Sequence, residues 1–363
     1  LDKYVFNIII QTMAEVEVLR EQETRLGVVV FGGNISNVRV GDGIRPLRDI
    51  EDFRAHTLEL PEGVQIARFE NINQRDTINR QPVHWKILAN TLNEVQKECD
   101  GVLVLNGVDA MPFDGPAVTY ALGDNIRAPI LFVASHDELG VEYSDAEQFI
   151  STAHTSLQRA HQGRIREVMV LADEIGNLIR ASRAVILSGF GIPIFGITPH
   201  TNEGEVGDWD HFYPSARKAN ESINLKSEVL AEFNDNIGFV EWTPGFNPRK
   251  LLEEMRAGYY SALIINSTEA GRLPVNLLGI LGPDMPKIPI IIQTRHIEDF
   301  ELSDMEVIKA QSEVKSGGAI PTFDMTHEAV WVKTAWLLAQ PQYRESVEAF
   351  RQGFYRDFGD ITV

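Results

Sequence analysis

The sequence has one cysteine, Cys99, in 363 residues, which excludes an intrachain disulfide and a thiolate metal site. Lys97, Glu98 and Asp100 surround it at the end of a predicted helix, where a filler thiol is expected rather than a nucleophile. No apolar run approaches the ~18 residues of a membrane span, and Phe6 to Met13 is short and flanked by charge. Positive charge is scarce. Against 52 Asp and Glu stand 33 Lys and Arg, giving a net charge of −19 spread along the chain. A surface of that sign repels phosphate backbones and anionic lipid, so neither nucleic acid nor membrane is expected as a partner. Internal repeats, a phosphate-loop sequence and metal-spaced histidines are also missing. Gly189-Phe190-Gly191 is half of a dinucleotide fingerprint, with no third glycine to open a helix. No cofactor and no metal are expected, and the cytoplasm is the natural location.

What is present is a βαβα rhythm. At 44% hydrophobic the chain is long enough for two cores. Apolar runs at Leu26 to Phe31, Gly101 to Val104, Ala128 to Val133 and Val168 to Leu171 read as buried parallel strands, with amphipathic helices such as His84 to Val95 between them. Residues 1–25 read as an N-terminal extension, helix or strand equally, 26–200 as a larger parallel-sheet α/β domain, 201–237 as a connector and 238–363 as a smaller α/β domain. In the second domain strands are expected at Phe239 to Trp242, Ala262 to Asn266 and Pro289 to Gln293, with helices at Pro248 to Ala257 and Ser303 to Gln311.

Two strands end in glycine: Leu26 to Phe31 at Gly32-Gly33, and Gly101 to Leu105 at Asn106-Gly107. Such turns bring backbone N–H groups close to a ligand, and ligands of open α/β sheets sit at strand ends. The run Ser135-His136-Asp137 is not a hydrolase triad, because consecutive side chains diverge.

These stretches resemble the signatures of the asparaginase/glutaminase family. Asn106-Gly107-Val108-Asp109-Ala110 stands where the family has His-Gly-Thr-Asp-Thr, and Gly32-Gly33-Asn34-Ile35 where it has Gly-Gly-Thr-Ile. Ile72 to Asp76 matches the turn that holds a substrate carboxylate, with Gln74 for the family's serine and Arg75 as an added cation, free to grip a carboxylate or to pair with Asp76. Gly41 to Asp52 corresponds to the lid, without its tyrosine. Arg180 and Arg183 match the segment bearing the catalytic lysine, which aligns with Ile186. Gly318 to Ala329, with Asp324-Met325-Thr326, resembles the family's closing motif and helix, and Gly359-Asp360-Ile361-Thr362 its terminus.

The resemblance implies a two-domain fold with Gly33 and Gly107 in one cleft, and assembly as a dimer or tetramer, or with another subunit. It also implies an altered site. Of two threonines, a lysine, an aspartate and a lid tyrosine, only Asp109 remains. A carboxamide at Asn34 is no nucleophile, Val108 lacks a hydroxyl and Ile186 lacks charge. Two readings follow: a non-catalytic binding or scaffolding subunit with ligand contacts from Gly33, Asn34, Gln74, Arg75, Gly107, Asp109 and His136, possible ligands being small amino acids; or an amidohydrolase rebuilt on Asp109, His136, Arg75 and Ser135. An internal Arg75–Asp109 pair would close the cleft, and a solvated Asp109 would leave it open to an amino group.

Overall fold

A computed structural model of the chain describes residues 23–72, 77–189, 192–197, 206–207, 228–267, 288–293, 305–358 and 360. The large domain begins with β1 (Thr24–Val30), a hairpin of β2 (Asn37–Val40) and β3 (Gly43–Pro46), helix α1 (Ile50–Ala55) and β4 (Val64–Asn71). It continues through α2 (Pro82–Val95), β5 (Gly101–Leu105), α3 (Met111–Leu122), β6 (Ile130–Val133), α4 (Asp145–Gln162), β7 (Val168–Leu171) and β8 (Leu178–Arg180). A second hairpin, β9 (Ala184–Gly189) with β10 (Ile192–Ile197), precedes the short β11 (Val206–Gly207). The small domain contains β12 (Ile237–Glu241), α5 (Pro248–Arg256), β13 (Ala262–Asn266), β14 (Ile290–Gln293), α6 (Met305–Ser316), β15 (Ile320–Pro321), α7 (His327–Ala339), α8 (Pro341–Arg344) and α9 (Val347–Phe354).

Seven strands form the large sheet in the order β11-β8-β7-β6-β5-β1-β4. From β4 to β7 all neighbours are parallel, and β8 and β11 run antiparallel at the far edge. The period of two in each strand divides its aliphatic residues between two cores. Val28, Val30, Leu103, Leu105, Leu131 and Val133 pack with Ile150, Ala153 and Leu157 of α4. Val29, Val102, Val104, Ile130 and Phe132 pack with Leu88, Leu92 and Val95 of α2 and with Val118 and Leu122 of α3. Cys99 is a buried member of the second core, its thiol pushed up to about 11 by burial, in keeping with a filler role.

The small sheet, β12-β13-β14-β15, is parallel throughout. One of its cores is shared with the large domain: Trp85, Ala117 and Tyr120 pack against Ile264, Ile291, Val330 and Trp336. Buried polar contacts fasten the same seam. Arg183 Nη1 of the large domain donates to Asp324 Oδ2 of the small domain at 2.9 Å, and the Tyr120 hydroxyl of α3 donates at 2.7 Å to Asp360 Oδ2, the oxygen that also accepts from Lys333 Nζ within the small domain at 2.8 Å.

Several elements depart from the sequence-based expectations. Helix α3 begins at Met111, six residues before the expected start, because Pro112 occupies the first turn, where no N–H is needed. Helix α6 runs on to Ser316. The residue capping α7 is Thr326, which accepts from Ala329 N, while Asp324 is spent on Arg183. Thr24 and Arg25, read as part of the N-terminal extension, already belong to β1. Residues 1–22 and most of the expected connector lie outside the described residues. Within that connector β11 joins the large sheet beside β8, and Leu230 N donates to Ala121 O.

Two predictions follow from this packing. Lys333 and Asp360 are both 0% exposed, so Lys333→Met strands a buried carboxylate and should cost about 3–5 kcal/mol in urea unfolding. Lys86→Met, at the exposed pair with Glu232, should cost less than about 1 kcal/mol. His154, on the buried face of α4, has its pKa lowered to about 4 by burial. As pH falls through the unfolded value of about 6.5, only the unfolded chain takes up this proton, so stability drops by about 2 kcal/mol by pH 5. A His154→Leu variant, titrated in parallel, should lack that component.

Candidate functional site at the ends of β1 and β5

The chain leaves β4 at one edge of the large sheet and crosses back past β1 to β5. Strand order therefore reverses at β1, and the crevice of such a sheet lies outside the carboxyl ends of the strands flanking the reversal. Those ends carry the two glycine turns. Phe31 N and Gly32 N both donate to Leu105 O, at 2.9 and 3.2 Å, and hold the two turns together. Gly33 has φ +80, and a Cβ on it would lie 2.4 Å from Gly107 Cα. A Cβ on Gly107 would lie 2.4 Å from the Thr77 methyl. Backbone packs on backbone at this junction, and Thr77 closes its third side from the end of β4.

Around the junction the expected site residues separate. Asn34 is exposed, and its Nδ2 donates to His136 O at 2.6 Å, bracing the β1 turn against the loop after β6. Asp145, opening α4, accepts from His136 N and Asp137 N at 2.8 and 2.9 Å, so its carboxylate orders that loop. The His136 ring is exposed, 3.5 Å from Asp137 Oδ1. Ser135 Oγ is buried and donates to Asp137 O at 2.6 Å, and Ser36 Oγ is buried and donates to Gly32 O at 2.6 Å. Neither hydroxyl is available in the crevice. Val108 is half-buried and Asp109 exposed at the start of the turn leading into α3. Ile186 pairs with Phe195 in the β9–β10 hairpin, apart from the large sheet, and is 37% exposed. Gln74 and Arg75 lie outside the described residues, and with them any contact between Arg75 and Asp109.

The charge pair at this site is a different one. Beneath the junction Arg80 stretches under both strand ends, its Nε on Asp114 Oδ2 at 3.2 Å and its Nη2 on Phe31 O at 3.2 Å and Asn106 Oδ1 at 3.1 Å. The guanidinium stacks on the Phe31 ring, 3.6 Å from its centroid. Asp114, fully buried, also accepts from Asn106 Nδ2 at 2.9 Å and Trp85 Nε1 at 2.7 Å. Burial pushes the Asp114 carboxyl up and the Arg80 guanidinium down, each toward its neutral form. Sequence reading missed this pair although a signal was there: Asp114 is the one acid in the otherwise uncharged helix Met111–Leu122, and a buried acid requires a partner.

The segment Gly41 to Asp52, set against a lid by resemblance alone, holds β3 of the β2–β3 hairpin and the start of α1. Arg39 N donates to Leu139 O and Leu139 N to Asn37 O, at 2.8 and 2.9 Å, tying β2 to the loop after β6. Arg45 forks onto Asp52 at 2.5 and 2.7 Å and holds its carboxyl down at about 2. Among the described residues no group of three or more His, Cys, Asp or Glu is placed to hold a metal, and no helix is long and apolar enough to cross a membrane.

The glycine junction gives a direct test. Gly33→Ala adds a methyl inside the backbone of Gly107 as well as φ strain, and should cost more than about 3 kcal/mol or prevent folding. Gly41 has φ +60 with nothing within 4 Å of its Cβ position, so Gly41→Ala should cost only about 1 kcal/mol. Chemical denaturation of both variants reads the difference.

The same architecture occurs in known proteins. Over 345 residues the chain is 22% identical to the L-asparaginase of Thermococcus kodakarensis, covering 93% of this chain and 99% of that one. Over 362 residues it is 23% identical to a glutamyl-tRNA(Gln) amidotransferase subunit from Aeropyrum pernix, covering 95% and 81%. The solved structure of the T. kodakarensis enzyme superposes with a TM-score of 0.74 at 21% identity, covering 93% and 99%. L-asparaginase I of Vibrio cholerae superposes at 0.70 and 18%, covering 94% and 100%. At these identities the superpositions establish the two-domain α/β fold. The model of the asparaginase N-terminal domain matches residues 25–215, more than half of the chain, which therefore belongs to the asparaginase family.

Proposed function

We propose that the protein is a non-hydrolytic member of its family, a binding subunit whose crevice takes a small amino ligand at Asp109. One observation carries the reading: at the position of the family's nucleophilic threonine stands Asn34, whose amide is already spent on His136 O. A carboxamide does not attack an acyl carbon. Val108 provides no hydroxyl and Ile186 no cation, and residues that act as a catalytic unit lose most of its rate when any essential member goes. The exposed Asp109 carboxylate at the crevice favours an ammonium group over closure by an internal salt bridge. The contacts we assign to such a ligand come from Gly33, Asn34, Gly107, Asp109 and His136, with Gln74 and Arg75, which follow β4 in sequence. Relatives named as amidotransferase subunits support assembly with a different chain, and pairing with a second copy is the other arrangement.

A second reading, hydrolysis through a replacement nucleophile, has one observation in its favour. The Thr77 side chain packs its methyl on Gly107, and on this reading its hydroxyl, rather than one following β1, serves as the nucleophile.

Ammonia release from asparagine and glutamine should stay below about a thousandth of an ordinary turnover, roughly 10 per second. Thermal unfolding should shift upward with aspartate, asparagine or glutamine, by the equivalent of about 2.7 kcal/mol at a hundredfold excess over the dissociation constant. Release above that level, abolished by Thr77→Val, would establish the second reading, and absence of any thermal shift would leave no ligand for the first.

A further inference from the structure

A cavity of about 570 Å³ lies in the small domain, between the residues that lead into β13 and β14 and the helices α7, α8 and α9. Its volume falls in the range of small-ligand pockets, roughly 300–1,000 Å³, and none of its lining residues belongs to the crevice. The base is apolar, made by Pro289, Leu338 and Phe350, all buried. Two tyrosine rings, Tyr260 and Tyr343, form walls, and each is seated on a glycine. A Cβ on Gly353 would lie 2.6 Å from Tyr343 Cδ1, and one on Gly238 would lie 2.9 Å from Tyr260 Cγ. Trp336 backs the Tyr343 ring at 5.6 Å between centroids, and the Tyr260 hydroxyl donates to Glu254 Oε2 at 3.0 Å. These contacts hold both rings in place, so the pocket is formed before any ligand enters. At its mouth Arg344 and Glu345, consecutive and exposed at the end of α8, offer charges of both signs that pair with no opposite charge among the described residues.

We infer that this pocket binds a free amino acid with an aromatic side chain, its ring between the two tyrosines and its carboxylate and ammonium groups at Arg344 and Glu345. The walls select the body: aromatic surfaces reward a ring by area and by edge or face contact. The mouth selects the head. A carboxylate alone would meet the like charge of Glu345 and an amine alone that of Arg344, whereas a zwitterion carries both signs within one small group. The exposed charges orient the ligand more than they hold it, and the apolar base supplies the affinity. Asparagine, aspartate and glutamine would bring polar side chains onto that base without partners. The pocket therefore takes a different ligand from the one proposed for the crevice and does not depend on it.

The test is thermal unfolding of the full chain with L-phenylalanine, 3-phenylpropionate and 2-phenylethylamine, which share a ring and differ in the head. The wild-type midpoint should rise saturably with L-phenylalanine, by about 2 °C or more at roughly tenfold excess over the dissociation constant, and much less with the other two. Arg344→Gln and Glu345→Gln, both at exposed positions, should each raise the half-saturating concentration severalfold. Asp109→Asn should respond to L-phenylalanine as the wild type does. No rise with L-phenylalanine, or a rise unchanged in both mouth variants, would overturn the pocket. A rise abolished by Asp109→Asn would place the ligand in the crevice and overturn it as well, and an equal rise with 3-phenylpropionate would overturn the zwitterion.

Discussion

The contact between Gly33 and Gly107 fixes the rest of the crevice. Two strand ends at the sheet's reversal point approach until neither can carry a Cβ, and the residues that follow each glycine are thereby delivered to a common opening. Asn34 directly follows one of these glycines, and Asp109 lies two residues beyond the other. The close approach also explains why the polar network lies underneath. Carbonyls and amides at the strand ends, such as Phe31 O and the Asn106 side chain, point away from the junction and need partners, and Arg80 with Asp114 supplies them. The pair is costly to bury in isolation, but it satisfies groups that the junction would otherwise orphan.

A parallel logic operates at the domain seam. Arg183–Asp324 and Lys333–Asp360 each join segments far apart in sequence, and each is enclosed by apolar surface: the Lys333 ammonium lies among the rings of Tyr120, Phe354 and Phe358 at 5.3–5.6 Å. Burial lowers the Lys333 pKa, opposed by Asp360. Such pairs add little net stability over an apolar seam, but any other docking of the domains would strand Arg183 and Asp324 and leave the Tyr120 hydroxyl without Asp360. Together with the shared Trp85, Tyr120 and Trp336 core they specify one relative placement of α3 and α7, and hence one shape for what lies above β1 and β5.

How much of this was legible in the sequence depends on whether the signal was local. Apolar strand runs, the glycines at their ends and the Asp-Met-Thr turn before α7 are decided within a few residues, and they marked the strands and the two glycine turns. The partners of Arg80, Asp114, Arg183 and Lys333 are decided by tertiary approach across 34, 141 and 27 residues. No periodicity encodes that. The start of α3 was hidden because Pro112 and Pro116 normally argue against helix, whereas a first-turn proline loses nothing and only Pro116 sits inside. Asp324, read as part of the closing motif before a helix, was local in appearance and long-range in fact.

The proposed non-hydrolytic reading accords with the contacts around Asn34. Asn34 braces one loop against another, and the β2–β3 hairpin is clamped by Arg45 and Asp52 and stitched to Leu139. Asp145 likewise fixes the backbone that carries His136. On the non-hydrolytic reading these contacts act as struts, and a crevice ordered in advance loses little ordering entropy when a ligand enters. The same reading needs no lid to close over a nucleophile, which the hydrogen bonds between the β2–β3 hairpin and Leu139 would oppose.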